Sequence, residues 1–212
     1  MDAFHARAAR VALAVLSRYG FVLAGGYAVQ VHGIGDRLSE DVDLFTDQSD
    51  VDKFRTAAAA AVEAWEADGI AVTLDEHSGT FARFYLADGR QRMKAELSHD
   101  WRADPPVVLD VGPVLSRDDS VASKVIALFA RGEARDYIDI YAAESSGAYT
   151  RRDLEALAAA RDLGFNIPAF AQSLRASSRH DDSAYAAYGL SGGQIAALRS
   201  AMSSWADDIE SR

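Results

Sequence analysis

Two aspartates one residue apart, Asp41 and Asp43, close a stretch that opens on a pair of glycines. From Phe21 to Phe45 the chain reads FVLAGGYAVQVHGIGDRLSEDVDLF. Its first residues, Phe21 to Ala24, are apolar and stop at Gly25-Gly26. Its last five, Asp41 to Phe45, alternate acid with apolar, the period of a strand with one buried face. Side chains two apart in a strand share a face, so Asp41 and Asp43 project together while Val42 and Leu44 pack behind them. Parallel carboxylates on a rigid strand suit hard divalent cations. Glycines without Cβ admit a phosphate close to the backbone, and the helix expected from Tyr27 to His32 aims its first N–H groups at an anion. Either feature alone is commoner as a plain turn or a solvated acid. Their order, flanking one short helix, points to a nucleotide bound with a metal.

The elements that must hold these residues can be read outward from them. A packed amphipathic helix is expected over residues 3–19, with Val11, Leu13, Val15 and Leu16 inward and Gly20 at its end. A second, rich in alanine from Ala57 to Ala61, runs through Trp65 to Ala67 as a structural layer behind the sheet. Residues 70–99 change to a strand period: 70–74, 80–86 and 92–98, with Ala87-Asp88-Gly89-Arg90 as a hairpin turn. In the last of these, Met93, Ala95 and Leu97 alternate with Lys94, Glu96 and Ser98. Strands two apart in a sheet would set Glu96 opposite Asp41 and Asp43 as a third carboxylate. Glu96 could equally be a surface acid paired with Lys94 or Arg92.

Residues 101–117 read as loop and strand, with Pro105-Pro106 and Gly112-Pro113. A helix capped by Asp118, Asp119 or Ser120 follows. Val121, Val125, Leu128 and Phe129 line one face, Lys124 lies beside it, and Gly132 breaks it before Arg135-Asp136-Tyr137-Ile138-Asp139-Ile140. A lysine beside an apolar stripe often snorkels, and Arg135–Asp139 has helical i,i+4 spacing. Beyond Ser145-Ser146-Gly147 the chain is alanine-rich and helical, with helices expected over 152–163, 167–177, 181–188 and 191–210. This gives an α/β (α+β) chain: a mixed sheet flanked by helices over 1–147, and a helical lobe over 148–212. Tyr185, Tyr188, Arg175 and Arg179 in that lobe suit nucleotide stacking or, more simply, core packing. His77 and His180 lack partners at metal-ligand spacing.

With both segments in view, the chain resembles the nucleotidyltransferase superfamily. More narrowly, Gly25-Gly26, Arg37, Ser39, Asp41 and Asp43 fit the AbiEii/AbiGii toxin pattern GG…R-x-S-x-D-x-D, a group that includes the MenT-type toxins. Lys124, Arg131, Arg135, Asp136 and Asp139 fit its second half, K-x-x-A-L…R…RD-x-x-D-I. The resemblance covers roughly residues 21–142. It implies an NTP substrate held by Gly25, Gly26, Arg37, Ser39 and Lys124, and two Mg²⁺ ions on Asp41 and Asp43 with Glu96 shared. Asp139 belongs to the active site and orients Lys124 or Arg135; Asp136 is the less certain acid. The implied acceptor is the 3′ end of tRNA, blocked by added nucleotides, with an antitoxin protein in restraint. Ser39 takes the position phosphorylated in some silenced relatives.

Composition sets limits on that picture. The chain has 212 residues, 49% hydrophobic and 25% charged, as an ordinary globular protein has. It has no cysteine, hence neither disulfides nor thiolate ligands. Its start is interrupted by Arg7, Arg10 and Arg18 and does not read as a signal peptide. Nor does any run reach the ~20 apolar residues of a membrane span, so the cytoplasm is the expected location. The net charge of −10 opposes a general nucleic-acid coat. It leaves room for a small-molecule nucleotidyltransferase acting on a cationic aminoglycoside or lincosamide-type antibiotic. A catalytically silent module that binds nucleotides or a partner protein is the reading from another class.

Overall fold

The computed structural model describes the whole chain, Met1–Arg212. In chain order the elements are α1 (Ala3–Leu16), β1 (Val22–Leu23), α2 (Gly25–Val31), β2 (Asp41–Thr46), α3 (Val51–Ala67), β3 (Ala71–Ser78), β4 (Phe81–Ala87), β5 (Arg92–His99), β6 (Val107–Leu109), β7 (Gly112–Val114), α4 (Arg117–Ala130), α5 (Ala134–Ser145), α6 (Arg151–Arg161), α7 (Ile167–Arg175), α8 (Asp182–Ala186) and α9 (Gly192–Glu210). They fall into two compact units. The first comprises residues 1–32 and 38–117, the second 33–37 and 118–212. This division differs from the boundary expected at 147. α4 and α5 carry apolar stripes of their own, and Tyr137 of α5 donates its hydroxyl to the Ser173 carbonyl of α7 at 2.7 Å. These two helices therefore belong with the later ones.

The first unit is built on a seven-stranded mixed sheet in the order β3-β4-β5-β2-β1-β7-β6. β2 runs antiparallel to β1 and parallel to β5. α3 with the β3–β4 hairpin makes the crossover that a parallel pair requires. Expected as two strands away, β5 is in fact the immediate neighbour of β2, with Asp41 opposite Lys94 and Asp43 opposite Glu96. One sheet face carries Val42, Leu44, Phe84, Leu86, Ala95 and Leu97, all buried against α1 and α3 in a single apolar cluster. Trp65 of α3 is wholly buried and donates its Nε1–H to the Ala8 carbonyl of α1 at 2.9 Å. That bond satisfies the indole's polar atom where no water reaches it.

The second unit is helical. Phe170 of α7 meets Trp205 of α9 edge-on, with centroids 5.4 Å apart. Glu155 of α6 is buried and is held by the Trp205 Nε1–H at 2.8 Å and by Arg212. Gly132 breaks α4 from α5 at φ 59°, a left-handed conformation that favours glycine. α5 then opens with a capping box in which Glu133 and Asp136 exchange hydrogen bonds. No helix is long and apolar enough to cross a membrane.

Candidate active site

On the sheet face turned away from the apolar cluster, the strand register lays out two cross-strand rows. Asp41, Lys94 and Tyr85 form one; Asp43, Glu96 and Arg83 form the other. Asp41 is buried, and an unpaired buried carboxylate is costly. Its Oδ1 accepts the Ser39 hydroxyl at 2.9 Å, and its Oδ2 lies 3.1 Å from the Lys94 ammonium. The same ammonium is 3.1 Å from Glu96 Oε1, which also accepts from Arg83 Nε at 2.8 Å. Burial alone would lower the Lys94 pKa; Asp41 and Glu96 outweigh it and raise the pKa above the ordinary lysine value. The Ser39 backbone is fixed in turn, since its carbonyl accepts the Tyr27 hydroxyl at 2.9 Å.

Gly25 shows why a glycine stands there. Its φ is +62°, and a Cβ built on it would lie 1.7 Å from Asp43 Oδ2. The carboxylate of the second aspartate therefore occupies the space that any side chain at 25 would need. The Ala24 N–H, donated to the Asp43 carbonyl at 2.8 Å, ties the start of α2 to the strand. Gly26 is buried within the first turn of α2.

No three His, Cys, Asp or Glu side chains gather into a ready metal cluster. The donor set nonetheless fits a hard cation. Asp41 and Asp43 offer carboxylate oxygens from one strand face, and the ammonium of Lys94 already stands as a cation between Asp41 and Glu96. Oxygen donors of this type suit Mg²⁺, which keeps few protein ligands and completes its shell with water and phosphate.

In the second unit the expected residues Arg37, Lys124 and Asp139 form one buried group. Arg37 grips the Asp139 carboxylate with both arms, Nε to Oδ1 and NH2 to Oδ2, each at 2.9 Å. Lys124 Nζ lies 3.0 Å from Oδ2. Arg37 also lies over the Tyr188 ring, 5.3 Å from its centroid. Burial would raise the Asp139 pKa, but Lys124 and Arg37 outweigh it and hold the carboxyl below its ordinary range. Of the two partners expected for Asp139, Lys124 is present at that carboxylate; Arg135 Nε sits 2.8 Å from Glu133. Asp136 is wholly buried and accepts two bonds from Arg131 at 2.9 Å each, besides capping α5. The two acids of the R-D-x-x-D segment thus differ: Asp136 holds the helix start, and Asp139 holds two cations.

Elsewhere in the second unit, Tyr185 is core, with its hydroxyl donated to the Ser177 carbonyl at 2.8 Å. Arg175 is tied at the surface to Asp207 and Glu210. Sequence reasoning saw Lys94 only as a partner for Glu96 and gave it no place beside Asp41. Its in-phase position across from Asp41 was the available signal, but that register depends on β5 adjoining β2.

A profile of the family described as nucleotidyl transferase AbiEii toxin, Type IV TA system, matches residues 9–192. Among solved structures, the crystal structure of JHP933 from Helicobacter pylori aligns over 98% of this chain and 91% of that one, at 18% identity and TM-score 0.56. The solution structure of the antibiotic-resistance factor ANT(2'')-Ia aligns over 76% of this chain and 92% of that one, at 18% identity and TM-score 0.51. At such identity these likenesses concern the fold alone. A search among curated protein sequences finds no match.

Two outcomes are expected from this geometry. Gly25→Ala places a side chain at φ +62° against Asp43. The backbone strain is about 1–2 kcal/mol, so the variant folds with a modestly lower Tm while nucleotidyl transfer drops at least about 100-fold through displacement of Asp43. Parallel thermal melts and transfer assays check this. Asp139→Asn leaves two buried cations without their shared anion and costs about 3–5 kcal/mol near neutral pH. Because the folded pKa of Asp139 lies below its ordinary value of 3.8, its stabilising effect is complete above that value and is lost as pH falls through the lower folded one. Urea midpoints from roughly pH 7 down to 2 should show an acid-side loss in the native protein that is shallower in the variant.

Proposed function

The chain belongs to the AbiEii nucleotidyl transferase toxin family, and from that premise we propose that it transfers a nucleotidyl group from an NTP to the 3′ end of tRNA. As a nucleotidyltransferase toxin of a toxin–antitoxin system it has an antitoxin as counterpart. The observation that carries the catalytic part is the fit of Gly25 against Asp43 beside Asp41. One short segment makes a carboxylate pair on one strand face and sets the second carboxylate against the start of α2.

In the proposed reaction the terminal hydroxyl oxygen of the acceptor forms a bond to the α-phosphorus of the NTP. The bond from that phosphorus to the α–β bridging oxygen breaks, pyrophosphate leaves, and the hydroxyl proton passes to a carboxylate or to water. Asp41 and Asp43 hold Mg²⁺, which when bound offsets phosphate charge and makes the hydroxyl a better nucleophile. Glu96 is the third oxygen donor, and taking that role requires Lys94 to release it. Ser39 keeps the Asp41 carboxylate turned; Gly25 admits the Asp43 carboxylate against the backbone, and the family pattern assigns the glycine pair to the triphosphate. Lys124 and Arg37, pre-set by Asp139, supply positive charge to phosphate oxygens. Cytoplasmic location accords with a tRNA substrate. The runner-up acceptor is an aminoglycoside, favoured by the net charge of −10.

Asp41→Ala and Asp43→Ala should each abolish transfer while leaving the melting curve near that of the native protein. The decisive assay incubates labelled NTPs with tRNA or with an aminoglycoside, and sequences tRNA 3′ ends after induced expression. Extended 3′ ends with the native chain and none with either variant are expected; label on the drug alone would reverse the choice of acceptor. Ser39 is buried with its hydroxyl on Asp41. A phosphoryl group there would set about −1.5 to −2 charges against that carboxylate and silence the enzyme. Mass spectrometry of protein silenced by its co-expressed antitoxin should find Ser39 phosphorylated; an unmodified Ser39 in silenced protein would remove this regulation.

A further inference from the structure

A pocket of about 470 Å³ opens beside Asp41 in the first unit, lined by Glu40, Asp41, Tyr85, Arg92, Met93 and Lys94. Its position in the sheet is informative. α2, with Gly25 at its start, follows β1 on one side of β2. The pocket lies on the other side, over β5 and β4. The carboxylate pair therefore stands between the glycine segment and the pocket. An in-line displacement brings nucleophile and leaving group to the metal-binding acids from opposite directions, so with the NTP on the glycine side the pocket faces the direction of the acceptor.

Its lining has the chemistry of a strand end. The Arg92 guanidinium lies over the Tyr85 ring, 4.3 Å from its centroid. Arg92 is exposed and, of the two basic residues lining the pocket, is the one that engages no carboxylate. Lys94 by contrast is already matched by Asp41 and Glu96. Bases stack on aromatic rings and on guanidinium planes, and a phosphate takes an unmatched arginine. A polycationic antibiotic would meet Arg92 as a like charge. We propose that this pocket is the acceptor subsite: a nucleotide at the single-stranded 3′ end of the acceptor stacks on the Tyr85–Arg92 pair, with its phosphate on Arg92, which brings the terminal hydroxyl to Asp41. The subsite rests on the reading of the chain as an RNA-directed nucleotidyltransferase, but its occupancy is measurable without turnover.

The test is equilibrium binding of a labelled RNA hairpin with a single-stranded 3′ tail, run beside binding of a fluorescent NTP. Tyr85→Ala and Arg92→Glu should each weaken RNA binding roughly ten-fold or more, with NTP affinity unchanged within about two-fold. Arg92→Glu should also flatten the dependence of log affinity on log salt by about one phosphate contact. Tyr85→Phe, which keeps the ring, should bind RNA as the native chain does, and the unchanged NTP affinity of Tyr85→Ala shows that its loss of RNA binding is not misfolding. Arg55→Glu, on the exposed flank of α3 beside Asp52, is the charge control and should leave RNA binding intact. RNA affinity unchanged in both Tyr85→Ala and Arg92→Glu, no RNA binding by the native chain, or loss of NTP affinity instead would each overturn the subsite. If both variants lose RNA binding while native protein extends no RNA, the subsite stands and the proposed reaction falls. If native protein extends tRNA and both variants match it in RNA binding, the reaction stands and the subsite falls.

Discussion

A buried carboxylate must be given partners, and the way this chain does so shapes both of its units. Asp41 and Asp139 are each nearly hidden from solvent, and each is met by a lysine ammonium and a second donor. For Asp41 the second donor is the Ser39 hydroxyl; for Asp139 it is the Arg37 guanidinium. An uncompensated charge in these positions would cost several kcal/mol, approximately the net stability of a whole domain. The cations are thus structural requirements before they are catalytic ones. The same arrangement keeps Lys94 and Lys124 in fixed places on ordered elements, already stripped of much of their water. In the proposed reaction Lys124, held in this way, would meet phosphate without first having to be ordered, whereas Lys94 stays matched by Asp41 until it releases Glu96.

How much of this could be read from residues depends on the range of the interaction. The faces of β2 were legible because alternation is local: Val42 and Leu44 inward dictate that Asp41 and Asp43 point the other way. The break at Gly132 and the helices after it were legible for the same reason, from glycine, caps and apolar spacing. The need for Gly25 was legible only as a preference for glycine. Its cause, the Asp43 carboxylate filling the Cβ position, needs the backbone of α2 against β2. Lys94 beside Asp41 could not be found from spacing alone, because its in-phase position counts only once β5 is known to adjoin β2. The unit boundary was missed for a related reason. Composition changes at Ser145-Ser146-Gly147, but packing follows apolar faces, and those of α4 and α5 belong with the later helices.

The R-D-x-x-D segment shows how one short pattern carries two kinds of constraint. Asp136 and Asp139 are three apart in α5, close enough on a helix to be neighbours. Asp136 nevertheless turns to the helix start, where it closes the capping box and takes the bidentate Arg131. Asp139, one turn on, faces Arg37 and Lys124. Losing the first would loosen the entry to α5. Losing the second would leave Arg37 and Lys124 without the carboxylate that they share. A pattern match treats the two acids alike; hydrogen bonding separates them.

Net charge and local charge must also be distinguished. An excess of ten negative charges makes a weak non-specific ligand for RNA. At physiological ionic strength, however, the field of an exposed charge fades over about 8 Å, so distant acids hardly weigh on a contact made at one pocket. Arg83 illustrates the reverse case. It sits in the same sheet face as Lys94 but is surrounded by Asp75, Glu76 and Glu96, so its charge is largely spent within the protein. Arg92, one register step beyond Lys94 on β5, has only the π-face of Tyr85. On the proposed reading, an acidic surface with an unmatched guanidinium beside Asp41 would disfavour a general polynucleotide coat and still admit a strand end at this pocket. That is the discrimination the proposed end-directed reaction calls for.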